Sequence, residues 1–185
     1  MSEHASILAS RYPKRTTLTD GRECQLRPMS GADVESVLAF ANDLSPDDLL
    51  YLRFNITERE VVEAWGRNIA DDHAFTILAL EGDLVVGEAT LLHSTTSWTR
   101  HLGEIRVQVA PQVRRFGLAR TLVTEIEWYA RELNLQMLSA RMTLDQEAAQ
   151  KFFRQLGFQR EAVLWDYVIT ADGKTRNLLV ATKRL

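Results

Sequence analysis

The stretch from residue 104 to residue 133 constrains the fold more than any other part of the chain. Residues 104–109 alternate polar and apolar side chains, which predicts a strand with one buried face. Ala110-Pro111 ends that strand, because proline has no N–H to donate to a sheet. Beyond them apolar residues recur at helical spacing, which predicts an amphipathic helix (Leu118, Leu122, Val123, Ile126 and Tyr129). The sequence therefore predicts a strand, a tight turn and a helix in direct succession.

The turn between this strand and this helix has the features of an anion site. A helix that begins at a glycine directly after a strand presents unpaired N–H groups and the positive end of its dipole. Gly117 and Ala119 allow close approach to the backbone, and Arg114 and Arg115 add positive charge, although surface arginines are usually only solvated. The turn lacks the Lys-Ser/Thr of a P-loop and the GxGxxG spacing of a dinucleotide fold. We therefore expect a phosphate-bearing ligand of another class.

Composition excludes several other classes of protein. The chain has 185 residues, a net charge of -3 and one cysteine, Cys24, which fits a single domain without a disulfide framework or a Cys-based zinc site. No dense basic run is present, which argues against a nucleic-acid-binding surface. His73, His93 and His101 lack metal-ligand spacing, so no metal is expected. Because no stretch of about 20 apolar residues and no signal-peptide pattern occur, we expect a cytoplasmic protein that does not bind a membrane.

The remaining elements follow from the same signals, and residues 1–14 are expected to form an N-terminal extension to one domain of residues 15–185. Eight segments have the pattern of strands: residues 15–19, 23–27, 73–80, 84–93, 104–109, 136–142, 158–170 and 174–183. Helices are expected to begin near Ser30, Ser45, Thr57, Gly117 and Asp145. This order predicts an α/β fold with parallel pairing where strand and helix alternate.

Two motifs resemble those of one enzyme family, the GNAT N-acetyltransferases. Arg114-Arg115-Phe116-Gly117-Leu118-Ala119 resembles its acyl-coenzyme A motif, [Gln/Arg]-x-x-Gly-x-[Gly/Ala]. Residues 146–158 resemble a second signature, Asn-x-x-Ala-x-x-[Leu/Phe]-Tyr-x-x-x-Gly-Phe, with Gln146 in place of the asparagine and Phe153 in place of the tyrosine. The resemblance implies the GNAT fold: a mixed central sheet of six to seven strands flanked by helices, with the acyl-CoA site at the splayed central strands.

The resemblance also implies which residues hold acetyl-CoA, the expected acyl donor. Backbone N–H groups across residues 115–120 would grip the pyrophosphate, and Val107 and Val109 would pair with the amides of the pantetheine arm. Phe153 would pack against that arm. The full set of expected donor contacts is Val107, Gln108, Val109, Arg114, Arg115, Phe116, Gly117, Leu118, Ala119, Arg120, Gln146 and Phe153.

Glu104 is the expected catalytic residue, because several GNAT protein acetyltransferases carry a glutamate at this place that deprotonates the acceptor amine. The alternative is a solvated glutamate at the start of the strand, or one paired with Arg106 or Arg100. Glu88 is the second candidate for the base. Phe153 cannot donate a proton to the leaving thiolate, and three tyrosines are alternative donors: Tyr51, Tyr129 and Tyr167.

The acceptor is predicted from a local stretch, together with the position of Glu104 and the Arg-Pro pair that ends the early strand. Residues 44–54 are similar to a stretch in the GNAT domain of bacterial protein-lysine acetyltransferases, although the same residues would make a well-capped helix in any fold. The first expectation is transfer of an acetyl group to a protein lysine, and a small-molecule amine is the alternative acceptor. A regulatory module that senses acyl-CoA and catalyses little is the competing hypothesis, which Phe153 favours. The protein is expected to be a monomer or a homodimer.

Overall fold

A mixed sheet of eight strands runs through the computed structural model, which describes residues 3–45, 48–49, 55–70, 74–94, 98–170 and 172–185. The strands are β1 Lys14–Thr17, β2 Glu23–Pro28, β3 Ala74–Glu81, β4 Leu84–His93, β5 Leu102–Val109, β6 Met137–Thr143, β7 Gln159–Ile169 and β8 Thr175–Arg184. The helices are α1 Glu3–Arg11, α2 Val34–Asn42, α3 Arg59–Ala70, α4 Leu118–Glu132 and α5 Glu147–Gln155, with short 3-10 helices at Gly31–Asp33 and Pro111–Val113.

The strands lie in the order β1-β2-β3-β4-β5-β6-β8-β7. β5 and β6, which α4 connects along the chain, pair in parallel, as the alternation of strand and helix predicted. The other neighbouring strands pair antiparallel. The sheet has more strands than the six or seven expected from the family resemblance. The reason is that all eight strand-like segments, including the short β1, join one sheet.

Helices cover both faces of the sheet. α4 packs on β4 and β5 from one side, while α2 and α3 contact β4 and β3. The contact with α4 is close at Gly87, where a Cβ atom would lie 3.2 Å from the Leu118 Cδ2 atom and 3.2 Å from the Gln108 carbonyl oxygen. A glycine at this position therefore lets α4 approach the sheet where β4 meets β5.

A buried carboxylate fixes the N-terminal helix α1 to α4. The Glu125 side chain is 1% exposed and accepts hydrogen bonds from Arg11 Nε (2.7 Å), Tyr12 Oη (2.8 Å) and Lys14 Nζ (2.5 Å). Burial acts to raise the pKa of Glu125, but these donors outweigh it and hold the pKa below its ordinary value. The Arg11 guanidinium also lies 4.0 Å from the centre of the Trp128 ring. Residues 3–14 are thus attached to the sheet and to α4.

One helix start differs from what the sequence predicted, and another agrees with it. Gln146, and not Asp145, is the N-cap of α5, and the Asp145 carboxylate lies 3.3 Å from Arg176 Nε instead. At the predicted start of the helix over residues 45–54, Ser45 Oγ accepts from the Asp48 N–H (3.2 Å) and Asp48 Oδ2 accepts from the Ser45 N–H (3.2 Å), which is a capping box. The rest of that predicted helix lies largely outside the described residues.

Candidate active site

The central strands β5 and β6 separate in the middle of the sheet. They pair only from Leu102 opposite Met137 to Ile105 opposite Ala140, after which β6 continues beside β8 and β5 continues beside β4. In the described part of the chain, residues 106–109 therefore have a sheet neighbour on one side alone. The opening between the two strands is a cleft bounded by main-chain groups.

The main-chain groups of Val107 and Val109 face this opening. The Ala110 N–H donates to the Val86 carbonyl on β4, at 2.9 Å. Because successive residues of a strand direct their N–H and C=O groups to opposite sides, those of Val107 and Val109 are directed away from β4. An extended ligand arm with amide groups can pair with this edge as an added strand would.

A cavity of about 350 Å³ lies in the cleft. Its walls come from β5, β6, α5 and the last two strands, and five of the residues expected at the site from sequence line it: Glu104, Val107, Gln108, Gln146 and Phe153. The Gln146 side chain is held in place by a hydrogen bond, because its Oε1 accepts from the Thr143 N–H at 3.0 Å. Phe153 is buried and meets the Phe152 and Phe158 rings edge-on. The apolar side of the cleft is thus backed by a cluster of aromatic rings.

The turn predicted as an anion site follows β5 directly. Gly117 is the N-cap of α4 and has φ 92°, and Arg115 has φ 68°, a left-handed conformation that is costly for a residue with a side chain. The Phe116 carbonyl accepts from the Thr19 N–H at 3.1 Å, which holds the turn against the β1–β2 hairpin. The first N–H groups of α4 have no partner within the helix and point out of its end. This arrangement can bind a phosphate.

The other sequence-predicted donor residues lie around the turn and not in the cavity. Arg115 and Arg120 are exposed there, and the Ala119 side chain packs partly on the core. The Leu118 side chain is 1% exposed and packs against β4, so Leu118 faces a ligand only through its backbone.

Arg114 has two partners within the protein that the sequence did not indicate. Its Nε donates to the Val109 carbonyl at 3.0 Å, and its Nη2 lies 2.7 Å from Asp48 Oδ2. Burial acts to raise the pKa of Asp48, but the hydrogen bonds from Ser45 and Arg114 lower it below its ordinary value. Arg114 therefore links the anion turn to the start of the helix at Ser45, besides adding positive charge.

Glu104 lies on the wall of the cleft, between two arginines. Its Oε1 accepts from Arg106 Nη2 at 3.0 Å, and its Oε2 lies 3.3 Å from Arg141 Nε. Pairing with Arg106 was one of the two alternatives that the sequence left open, whereas Arg141 was not anticipated. A carboxylate in this position can still accept a proton from an amine through a remaining lone pair or through water.

Glu88, the second candidate for the base, lies outside this cleft. It is on β4, 3% exposed, on the side of the sheet covered by α3, and it lines a separate cavity. Burial raises the pKa of Glu88 to about 7, although a hydrogen bond from Thr90 and the charge of Arg106 act to lower it. The sequence made Glu88 the second candidate for the base, but the structure places it in a separate cavity and not in the donor cleft.

The three tyrosines proposed as proton donors have different positions. Tyr167 on β7 lines the cleft and is 61% exposed. Tyr129 is buried in α4 and stacks on Phe75, with 3.8 Å between ring centres. Tyr51 lies outside the described residues. Of the two that are described, Tyr167 is the one that can reach a leaving group in the cleft.

Sequence reasoning missed two polar residues of the cleft, Arg141 and Thr143, both on β6. The Thr143 side-chain oxygen is buried and has no hydrogen-bond partner among the described residues, although Thr143 lines the cavity. A buried hydroxyl without a partner is costly, so a ligand group that pairs with it would gain affinity. Nothing in the sequence distinguishes this threonine, because its importance depends on where β6 separates from β5.

Two further observations concern metals and membranes. Within the described ranges, no three His, Cys, Asp or Glu side chains come close enough to hold a metal ion. No helix in the same ranges is long and apolar enough to cross a membrane.

The sequence and the fold both match known proteins. A sequence model of the acetyltransferase (GNAT) family matches residues 39–158. Ribosomal-protein-alanine N-acetyltransferase from Brucella melitensis is 27% identical, with 86% of this chain and 99% of that chain covered and a TM-score of 0.77. No curated protein sequence matches significantly.

Two more distant structures show the same fold. The GNAT domain of S. lividans PAT is 16% identical, with 93% of this chain and 96% of that chain covered and a TM-score of 0.77. The acetyltransferase yncA of Salmonella typhimurium, solved with its cofactor acetyl-CoA, is 18% identical, with 88% and 94% covered and a TM-score of 0.74.

Proposed function

Because the chain belongs to the GNAT acetyltransferase family, for which acetyl-CoA is the acyl donor, we propose that it transfers an acetyl group to a primary amine of a protein, in the first place a lysine side chain. The observation that carries the proposal is the continuity of the open β5 edge with the N–H groups at the start of α4. An acyl donor with an amide-bearing arm and a pyrophosphate has matching groups along this path.

Each part of the proposed donor site has one task. The main-chain groups of Val107 and Val109 hold the arm, while Gln108, Gln146 and Phe153 form the walls beside it. The N–H groups of residues 115–120 bind the pyrophosphate, with Arg115 and Arg120 adding positive charge. The Thr143 hydroxyl, which has no partner among the described residues, donates a hydrogen bond to the arm.

We assign the proton transfer to Glu104. A lysine amine has a pKa near ~10.4 and is mostly protonated at neutral pH, so it must lose a proton before it can act as a nucleophile. Glu104 accepts this proton directly or through water. Acetyl-CoA supplies a thioester carbonyl; the amine nitrogen forms a bond to that carbon, the carbon–sulfur bond breaks, and the thiolate leaves. Tyr167 is the candidate donor of a proton to the thiolate, since Phe153 has none to give.

Two observations support other acceptors or a weaker activity. The 27% identity to a ribosomal-protein-alanine N-acetyltransferase favours a protein N-terminal amine as the second candidate acceptor. Phe153, in place of the family's tyrosine, favours a module that senses acyl-CoA without rapid turnover. A small-molecule amine is a further alternative, and it shares the donor site and the chemistry.

Binding of acetyl-CoA tests the donor site. In Gly117→Trp a bulky side chain stands where the pyrophosphate is proposed to bind, and a Cβ atom at Gly117 has only the Thr19 methyl within 4 Å, at 3.9 Å. We expect the Kd measured by calorimetry to rise at least tenfold, roughly 1.4 kcal/mol.

Gly82→Trp is the matched control. Gly82 also has a positive φ, at 61°, and open space around it, but it lies in the β3–β4 hairpin. The control therefore reproduces the backbone strain without obstructing the turn, and its Kd should equal that of the wild type. Equal weakening in both variants, or no binding by the wild type, would mean that the turn is not the pyrophosphate site.

A further inference from the structure

A second cavity, of about 170 Å³, lies between α3 and the sheet. Its volume is well below the roughly 300 Å³ at which pockets for drug-sized ligands begin, so it fits a slim group. It is lined by Ile56, Val61, Ala64, Trp65, Asn68, Ala74, Glu88, Thr90, Leu92 and Arg106.

The cavity has a closed floor and an accessible rim. Glu88 and Thr90, each 3% exposed, form the floor together with buried Ala74. Asn68 on α3 is exposed at the rim. The walls between them are apolar, except at Arg106. A ligand that enters from solvent therefore passes aliphatic and aromatic carbon before it meets the carboxylate.

The carboxylate at the floor is held in place by neutral donors. Trp65 Nε1 donates to Thr76 Oγ1 at 3.0 Å, Thr76 and Thr90 share a hydrogen bond of 2.9 Å, and Thr90 Oγ1 donates to Glu88 Oε2 at 2.9 Å. These bonds form one chain of donors that ends at Glu88. They fix the orientation of the carboxylate without neutralising its charge.

Among the described residues, no cation lies within ion-pair distance of Glu88. Arg106 is the one other charged side chain among the cavity's described lining residues, and its guanidinium bonds to Glu104 on the cleft side at 3.0 Å. Burial destabilises the ionised form of Glu88 more than the Thr90 hydrogen bond and the charge of Arg106 stabilise it, which is why its pKa is raised to about 7. A bound cation would supply the missing charge.

We propose that this cavity binds the acceptor amine: a primary ammonium group on an unbranched aliphatic chain, with Glu88 as its partner. The inference rests on the proposed function and adds the acceptor subsite to it. An aliphatic chain matches the apolar walls, and an ammonium group matches a buried carboxylate that has one neutral donor. A carboxylate or phosphate ligand is disfavoured, because Glu88 would repel it.

Arg106 lies between this cavity and the donor cleft, because it lines both. Glu104 and Arg106 also lie on the same face of β5, which is the face toward Glu88 and Thr90 on β4. The two carboxylates thus have separate roles: Glu88 recognises the ammonium group, and Glu104 accepts the proton as the amine moves to the cleft.

Binding of a simple amine tests the subsite without any turnover. The probe is n-butylamine, titrated into the protein and followed by calorimetry, with n-butanol as the neutral ligand of the same shape. We expect the amine to bind at least tenfold more tightly than the alcohol, and Glu88→Gln to remove this preference. The matched control is Glu63→Gln, which makes the same change on the exposed side of α3 and should bind n-butylamine like the wild type.

A second variant and a second ligand make the result decisive. Ala64→Phe fills the cavity while Glu88 remains, and it should weaken n-butylamine at least tenfold. Acetyl-CoA binding, measured on the same samples, should stay unchanged in both variants. Amine binding that is absent, or that is equal in Glu88→Gln and the wild type, overturns the subsite even if acetyl-CoA binds normally. Failure of acetyl-CoA to bind would instead contradict the proposed function.

Discussion

At the scale of single residues, Glu88 and Glu104 show how surroundings separate two carboxylates on neighbouring strands. Glu104 is held by two arginines at the cleft, whereas Glu88 is buried with one threonine donor. Burial of an ionised carboxylate without a counter-ion is costly, so the folded protein favours the protonated form of Glu88 and its pKa rises to about 7. In the proposed acceptor subsite, Glu88 would thus favour a ligand cation at the expense of the stability of the empty protein.

This cost predicts a pH-dependent effect of Glu88→Gln on stability. Because the pKa is raised on folding, the wild type is most stable where Glu88 is protonated in both states, and it loses stability as the pH rises from about 4.5 through about 7. The loss is about 3 kcal/mol above pH 7. Glutamine never ionises, so Glu88→Gln should match the wild type near pH 4.5 and exceed it by about 3 kcal/mol at pH 8.

Urea unfolding at pH 4.5, 6 and 8 measures this difference, with Glu63→Gln on the exposed side of α3 as the control that should show no such trend. A difference between Glu88→Gln and the wild type that stays constant with pH would show that Glu88 ionises freely in the folded protein.

At the scale of secondary-structure elements, β5 determines the position of the cleft, because it pairs with β6 at one end only. Gly103 lies within that short parallel pairing, opposite Leu138. A Cβ atom there would lie 2.6 Å from Leu91 Cδ1, 2.9 Å from Leu138 Cδ2 and 3.0 Å from Leu135 Cδ1. The glycine thus lets three buried leucines close around the strand just before it separates from β6.

Gly103→Ala should destabilise the protein by about 2 kcal/mol, because three core side chains must move at once. The matched substitution is Gly66→Ala in α3, where the nearest atom to the added Cβ is a Gly31 Cα at 3.9 Å. That change should stabilise by about 0.5 kcal/mol, since alanine favours a helix. Urea midpoints of the two variants test the contrast, and a neutral Gly103→Ala would mean that the leucines around β5 are loosely packed.

The same elements show what could be predicted from the sequence. Strand alternation, the helical spacing after Gly117 and the hairpin signals are local, and they predicted all eight strands and the anion turn. The separation of β5 from β6 is not local, because it depends on β8 pairing with β6 across residues far apart in the chain. The extent of the cleft therefore required the structure.

At the scale of the whole molecule, long-range contacts decide what the site residues do. Arg141 pairs with Glu104 from another strand, and Asp48 pairs with Arg114 although the two residues are far apart in the sequence. No sequence signal marks such partners, since each is one charged residue among many. The type of each site residue and its place on a strand or turn could be predicted, but not its partners, its burial or the second cavity around Glu88.

Contacts from the N-terminal helix and from the β1–β2 hairpin support the turn at the start of α4. The N-terminal helix is fixed to α4 through Glu125, and α4 begins at the anion turn. The turn is held in addition by Thr19 from the β1–β2 hairpin. The proposed donor site is thus supported from the N-terminal segment, the hairpin and the sheet, which suits a turn that must keep a costly left-handed conformation.

The most direct measurement follows release of coenzyme A thiol from acetyl-CoA in the presence of a lysine-containing protein mixture. The wild type should release thiol only when amines are present, and kcat for Glu104→Gln should fall roughly 100-fold while acetyl-CoA still binds. Glu132→Gln, an exposed change at the end of α4, should keep the wild-type rate. Acetyl-CoA binding without thiol release, across lysine, N-terminal and small-molecule amines, would contradict the enzyme and favour the sensing module.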